Sequence, residues 1–133
     1  MKKGNNNNTK IMVVDDDLEI SNLLKMALQK QGYDVFGFTD PLQALEHFKI
    51  NYNAYNLVIS DLRMPGMNGF KLLRNIKLLN PKTKALLMTA FDISGDTELA
   101  YNLDNGVIDE FIQKPVPIKK LCVLVDSHLK STK

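Results

Sequence analysis

Five short apolar runs alternate with five segments of helical periodicity, and this alternation restricts the fold more than any other feature of the chain. The intervening segments repeat apolar residues at spacings of three and four, as one face of a helix does. Strands that alternate with helices are typical of a parallel sheet with helices on both faces. We therefore predict a doubly wound α/β fold. Its five strands are expected at Lys10–Val14, Tyr33–Phe38, Asn56–Ser60, Lys84–Met88 and Asp109–Gln113.

The predicted helices have recognisable ends and apolar faces. The first begins near Asp17 and ends at Gly32, and Asp40-Pro41 marks the start of the second, because aspartate caps helices and proline suits their first turn. The fourth is expected over about Gly95–Leu103. The other four carry the apolar stripes Ile20, Leu23, Leu24, Ala27 and Leu28; Leu42, Leu45 and Phe48; Leu72, Leu73, Ile76 and Leu79; and Ile118, Leu121, Cys122, Val125 and Leu129.

The composition favours one ordinary globular domain. The chain has 133 residues and a formal net charge of +2, without the concentrated basic charge of a nucleic-acid-binding domain. The single cysteine, Cys122, fits a reducing compartment, so we expect a cytoplasmic protein. No apolar stretch approaches the roughly 20 residues that span a bilayer, and no membrane insertion is expected. We predict a disordered polar tail over residues 1–9, a folded domain over 10–130 and a short C-terminal tail over 131–133.

Several of the predicted strands end in residues with charged or hydroxyl side chains. Asp15 and Asp16 follow the first strand, and Asp61, Thr89 and Lys114 follow the third, fourth and fifth strands. Ligands of open parallel sheets bind in the crevice outside the carboxyl ends of the strands, so these side chains are expected to converge. The sequence therefore predicts one site with three carboxylates, a hydroxyl and an ammonium group.

Three neighbouring carboxylates either take up a proton or recruit a cation. Each pair at about 4 Å costs on the order of 4 kcal/mol at an effective dielectric constant near 20. Mg²⁺ (or Mn²⁺) suits such a site, because it prefers oxygen ligands and binds through a few carboxylates together with a phosphate. Asp61 can then act as a nucleophile that forms an aspartyl phosphate, while Lys114 and Thr89 contact the phosphoryl oxygens.

Each of these residues also has a simpler interpretation when it is taken alone. Asp15–Asp17 fits a helix N-terminus decorated with acids, and this interpretation does explain Asp17. Asp61 can form a turn at a strand end, Thr89 is an ordinary strand residue, and Lys114 is a solvated lysine before a proline. None of these separate interpretations explains why the charged groups lie at the ends of different strands.

The chain resembles the receiver domains of two-component response regulators, from Lys10 to about Leu129. The resemblance implies a flavodoxin-like sheet with strand order 2-1-3-4-5, and a stand-alone receiver similar to those of chemotaxis. The matching stretches are Val13–Asp17, Leu57–Gly69, Met88–Ala90 and Lys114–Val116.

The resemblance also implies a set of metal ligands around a phosphoacceptor. Asp61 is expected to accept the phosphoryl group in an Mg²⁺-dependent reaction. Asp16 is expected to bind the metal directly and Asp15 through water, and the backbone carbonyl of Arg63 would complete the protein's share of the metal shell.

A switch is implied as well. Thr89 would be the hydroxyl that moves toward the phosphoryl group, and Lys114 the amine that contacts it. Phe111 stands where the family has its rotameric aromatic residue, although a core phenylalanine is the alternative interpretation. The donor would be a sensor histidine kinase or a histidine phosphotransfer protein. Phosphorylation would alter a face built from the fourth helix, fifth strand and last helix, to which a downstream protein binds.

Some features depart from the family's pattern or lie outside it. The segment from Thr89 to Lys114 is a few residues longer than usual, which affects the fourth helix. Arg63 and Phe91 occupy two loop positions that, in the family, tune the lifetime of the acyl phosphate, and the bulk of Phe91 is predicted to shield the phosphoryl group. His47 and His128 are expected to be surface residues, and Cys122 a core residue.

Other functions compete with a stand-alone receiver. The chain can be the receiver part of a larger transcriptional regulator. An aspartyl-phosphate hydrolase would need a second acid two residues after its nucleophile, where Arg63 stands. A flavin or nucleotide module would need a phosphate-binding loop after the first strand, where Asp15–Asp17 would repel phosphate. We therefore expect a signalling protein that accepts a phosphoryl group, and not an enzyme with turnover.

Overall fold

The computed structural model describes residues 9–130, so the predicted tails lie outside this range apart from Thr9. Every predicted strand is present within one residue at each end. The elements, in chain order, are β1 (Lys10–Val14), α1 (Leu18–Lys30), β2 (Asp34–Phe38), α2 (Pro41–Ile50), β3 (Leu57–Asp61), α3 (Gly69–Leu79), β4 (Lys84–Thr89), α4 (Thr97–Asp104), β5 (Glu110–Gln113) and α5 (Ile118–Lys130).

The five strands form one parallel sheet in the order β2-β1-β3-β4-β5, which confirms the predicted fold. The mixed polarity of β2 fits its position at the edge of the sheet. The register aligns the carboxyl ends of the strands, since Asp61 pairs with Met88 and Thr89 pairs with Gln113. The residues at the carboxyl ends of β1, β3, β4 and β5 are therefore neighbours, and we call this end of the sheet its carboxyl edge.

Helices cover both faces of this sheet and produce two cores. Met12 and Leu87 pack with α2, α3 and α4 on one face. Ile11, Ile59 and Leu86 pack with α1 and α5 on the other face. Successive strand residues point to opposite faces, so strands covered on both sides need nearly continuous apolar sequence. This requirement explains the uninterrupted apolar runs of β1, β3 and β4.

Side-chain caps define where the helices start. The Asp17 carboxylate accepts hydrogen bonds from the backbone N–H groups of Glu19 and Ile20, and Asp40 caps α2 in the same way. Both predicted caps are confirmed. Asp96 caps α4, which therefore starts at Thr97 and not near Gly95. The predicted start of this helix was two residues early.

Three members of the predicted apolar stripes point to solvent. Leu23 is 53% exposed, Leu42 48% and Leu79 37%, so the core covers the predicted stripes only in part. Helical periodicity shows on which face of a helix a side chain lies. Whether that side chain is buried depends on which elements pack against the face. Cys122 is 6% exposed, as expected for a core residue.

The two histidines are partly buried and hydrogen-bonded, so the expectation that both are surface residues was wrong. His47 Nε2 lies 2.7 Å from the Tyr55 hydroxyl. His128 Nε2 lies 2.9 Å from Glu110 Oε1. His47 thus connects α2 to the loop before β3, and His128 connects α5 to β5.

Candidate functional site

Three carboxylates meet at the carboxyl edge of the sheet. One oxygen from each of Asp15, Asp16 and Asp61 lies within 4.8 Å of the other two. Asp15 is 1% exposed and Asp61 9%, whereas Asp16 is exposed to solvent. Two buried acids and one exposed acid thus form a cluster with an open side.

One lysine neutralises part of this negative charge. Lys114 Nζ donates to Asp15 Oδ2 at 3.0 Å and lies 3.4 Å from Asp61 Oδ1. Asp15 Oδ1 accepts a further hydrogen bond, from the backbone N–H of Asp17 at 2.9 Å. Both carboxylate oxygens of Asp15 are therefore engaged. Asp61 has the longer of the two contacts with Lys114.

The site shifts the protonation equilibria of Asp61 and Lys114. Burial raises the pKa of Asp61, and the charge of Asp15 adds to this effect, although Lys114 opposes it. Burial alone would lower the pKa of Lys114. The hydrogen bonds and charges of Asp15 and Asp61 outweigh burial, so the pKa of Lys114 is raised. The lysine is therefore cationic at neutral pH. Keeping Asp61 ionised in this site lowers the stability of the folded state.

The donor set of this cluster fits a hard divalent cation. All three groups are carboxylate oxygens, and neither a thiol nor an imidazole takes part. Mg²⁺ and Mn²⁺ prefer such ligands, and a cation would relieve the repulsion that one lysine leaves uncompensated. The arrangement can therefore hold a metal next to the Asp61 carboxylate.

Thr89 lies at the same edge, one strand away from Asp61, and is fully buried. Its hydroxyl oxygen accepts a hydrogen bond from the backbone N–H of Phe91 at 3.1 Å. Phe111 lies on β5 beside Leu87 and packs, partly buried, against the core on the α2–α4 face. The structure thus brings Thr89 to the site and places Phe111 next to the neighbouring strand.

Arg63 and Phe91 contact each other on the surface, in the loops that follow β3 and β4. Arg63 follows β3 by two residues, and its guanidinium carbon lies 4.2 Å from the centre of the Phe91 ring. This distance is typical of a cation–π contact. The phenylalanine remains 50% exposed. Arg63 and Phe91 lie two residues after Asp61 and Thr89, respectively.

A model of the response regulator receiver domain matches residues 11–126, which is most of the chain. The chain belongs to this family. The receiver domain is 37% identical over 123 residues to the transcriptional regulatory protein ZraR of Klebsiella oxytoca, a match that covers 92% of this chain and 27% of ZraR. The sporulation initiation phosphotransferase F of Bacillus subtilis is 30% identical over 122 residues, which cover 84% of this chain and 97% of that protein.

Solved structures agree with the family assignment. A CheY-like response regulator receiver domain protein from Methanospirillum hungatei superposes with a TM-score of 0.84 and 27% identity, covering 94% of this chain and 96% of that one. The chain spans only about a quarter of the length of ZraR, so most of ZraR has no counterpart in this sequence.

Over residues 9–130, none of the helices combines the length and apolar character that crossing a membrane requires.

Two further residues shape the receiver site and were not identified from sequence. Gln113 Nε2 donates to the backbone carbonyls of Thr89 at 3.1 Å and Phe91 at 3.2 Å, and so holds the loop after β4. Gly69, identified from sequence only as the end of a matching stretch, packs against the backbone of Asp61: a Cβ there would lie 2.3 Å from the Asp61 carbonyl oxygen. An exposed glutamine and a turn glycine carry no sequence signal for these contacts.

Proposed function

We propose that this receiver domain accepts a phosphoryl group on Asp61 from a phosphohistidine of a sensor kinase or phosphotransfer protein. The observation that carries the proposal is the shared lysine: Lys114 contacts Asp61 inside a cluster of three carboxylates at the carboxyl edge of the sheet. An Asp61 oxygen forms a bond to phosphorus while the phosphorus–nitrogen bond of phosphohistidine breaks. The leaving imidazole keeps the electron pair of that bond.

The residues around Asp61 are suited to the charge that arrives. Three peripheral phosphoryl oxygens carry the negative charge, and positioned cations lower the barrier for their transfer. Lys114 supplies one positive charge at the site. Thr89 supplies a hydroxyl, which donates to a phosphoryl oxygen once it turns from its contact with Phe91.

We assign the metal ligands in the same proposal. Asp16 is exposed and coordinates the cation directly, whereas Asp15, engaged by Lys114 and by Asp17, acts through water. Asp61 and the backbone carbonyl of Arg63 complete the protein's ligands. The bound Mg²⁺ would neutralise phosphoryl oxygens and hold them beside Asp61.

In this proposal, phosphorylation changes the binding of a downstream protein because it alters the charge at the strand ends. The phosphoryl group adds charge and acceptor oxygens. In this proposal Thr89 and Phe111 rearrange, and a two-state equilibrium shifts at the face of α4, β5 and α5, which binds a downstream protein. A stand-alone role is supported by the match over nearly the whole length of the sporulation phosphotransferase. Membership of a larger transcriptional regulator is the alternative, supported by the match to ZraR.

Removal of the metal tests this function. Wild-type protein is incubated with acetyl phosphate, a small acyl phosphate, in Mg²⁺ or in excess EDTA, and its intact mass is followed over time. We expect one phosphoryl group per chain in Mg²⁺, and a rate at least about tenfold lower in EDTA, because charge neutralisation by the metal is lost. Equal rates in the two buffers would contradict the metal's role, and no mass increase in either would contradict the proposal.

Substitution of Phe91 tests the shielding of the phosphoryl group. We expect Phe91→Ala to lose phosphoryl groups several-fold faster than the wild type, because the bulky side chain beside Arg63 no longer limits the approach of water. The decay of the phosphorylated mass after removal of the donor measures this rate. Tyr101→Ala is the matched control, since Tyr101 is an exposed aromatic residue of α4. Unchanged decay in Phe91→Ala would show that the ring does not shield the site.

A further inference from the structure

A stripe of four exposed residues runs along the outer side of α1. Glu19, Leu23, Met26 and Lys30 follow one another at spacings of four, three and four residues, so they lie on one line of the helix. Leu23 is 53% exposed and Met26 is 59% exposed. Apolar residues at this spacing, flanked by charges, form the contact line of packed helix pairs.

The order of this stripe is self-complementary. An acid stands at its N-terminal end, a base stands at its C-terminal end, and two apolar residues lie between them. If a second copy of α1 is laid against the first in the antiparallel direction, Glu19 faces Lys30 of the second copy and Leu23 faces its Met26. The same contacts then occur twice, as a two-fold symmetric interface requires.

A groove beside the stripe adds apolar surface from the neighbouring helix α5. It has a volume of about 510 Å³ and lies between α1 and α5. Leu23 and Met26 line it from α1, and Cys122 and Val123 line it from α5. Val123 is 65% exposed. A helix from another copy placed here would cover apolar side chains that the described chain leaves in water.

We propose that two copies of this chain associate through their α1 helices, packed antiparallel in the α1–α5 groove. Both the apolar centre and the opposite charges at its two ends are present on a single helix, which makes a second copy the fitting occupant. The proposal does not depend on phosphorylation of Asp61, so either can fail without the other.

Sedimentation of the full chain tests the apolar contacts. We expect concentration-dependent dimers between roughly 10 µM and 1 mM, the range for an interface of modest area. Leu23→Asp and Met26→Asp are expected to remain monomeric across this range. Leu78→Asp is the matched control, because Leu78 is 78% exposed on α3, and it should dimerise like the wild type. Monomeric wild-type protein at every concentration would overturn the proposal, and so would dimers that both α1 variants retain.

An exchange of charges tests the antiparallel direction. Glu19→Lys and Lys30→Glu each place like charges opposite one another, so each variant alone should dimerise about tenfold more weakly than the wild type. An equimolar mixture of the two restores both ion pairs in a heterodimer and should associate about as well as the wild type. A mixture that associates no better than either variant alone would overturn this arrangement.

Discussion

Asp61→Asn protein is expected to take up no phosphoryl group from acetyl phosphate, under conditions that phosphorylate the wild type. An amide has no nucleophilic oxygen comparable to a carboxylate, so the acyl phosphate has no residue on which to form. Asp15 does not replace it, because its two oxygens are engaged by Lys114 and by the backbone N–H of Asp17. Intact mass after incubation measures the effect directly. A variant that still gains one phosphoryl group would place the acceptor elsewhere.

The same variant is expected to have a higher free energy of unfolding than the wild type at pH 7 in the absence of divalent cations. Burial and the nearby Asp15 charge raise the pKa of Asp61 in the folded protein, although Lys114 opposes them. The folded state therefore holds the Asp61 proton more tightly than the unfolded chain does. Ionisation of Asp61 lowers stability as the pH rises through the ordinary carboxyl pKa of about 3.9 towards the raised value.

This linkage gives the comparison a pH dependence. Below the ordinary carboxyl range Asp61 is protonated in both states, so wild type and Asp61→Asn should be similar in stability. The difference in unfolding free energy between the two proteins should grow as the pH rises. It should reach its full size above the raised pKa of Asp61. Denaturant unfolding at several pH values measures it, with Asp104→Asn, at an exposed position of α4, as the control. A wild type that is more stable than Asp61→Asn at pH 7 would show that the ionised Asp61 carboxylate does not destabilise the folded protein.

The second large effect is expected from Gly69→Ala, which should lose about 2–3 kcal/mol of unfolding free energy. A Cβ at this position would lie 2.3 Å from the Asp61 carbonyl oxygen, 2.7 Å from Leu87 Cδ1 and 3.1 Å from Leu62 Cα. Two of these neighbours are backbone atoms, which cannot turn aside as a flexible side chain can. The start of α3 must therefore move away from the end of β3, and phosphorylation should slow as Asp61 is displaced.

Gly106→Ala separates this crowding from the general cost of replacing a glycine. Gly106 has a positive φ of 74°, and a Cβ there would meet nothing within 4 Å. Its replacement should cost only about 1 kcal/mol, from the left-handed backbone. It should leave the phosphorylation rate unchanged. Gly69→Ala protein that unfolds at the same denaturant concentration as the wild type would show that the contact at the end of β3 is not tight.

The convergence of Asp15, Asp61 and Lys114 could be predicted from sequence, because it depends on topology more than on detail. Apolar runs of five residues predict buried strands, and parallel strands bring their carboxyl ends together whatever their exact packing. The position of β2 at one side of the sheet is implied by the family resemblance and not by this reasoning. The shared lysine contact then follows from residues that are 53 and 99 positions apart in the chain.

Features that depend on which elements become neighbours could not be predicted in this way. His128 has its partner Glu110 on β5, 18 residues away, and nothing in the surrounding sequence indicates that contact. Leu23 belongs by periodicity to an apolar face, yet α5 leaves it uncovered beside a groove. Gly69 looks like any turn glycine until β3 is placed against it. In each case the deciding atom belongs to another element.

Identification of the phosphorylated side chain is the most direct test of the central claim. Borohydride reduces an acyl phosphate to an alcohol, so a phosphorylated aspartate is converted to homoserine and can be located by peptide mass spectrometry. Phosphorylated wild-type protein is expected to contain homoserine at position 61, and protein kept without donor to contain none. Homoserine at position 15 or 16 instead, or a phosphorylated protein that yields no homoserine, would contradict the proposal that Asp61 is the acceptor.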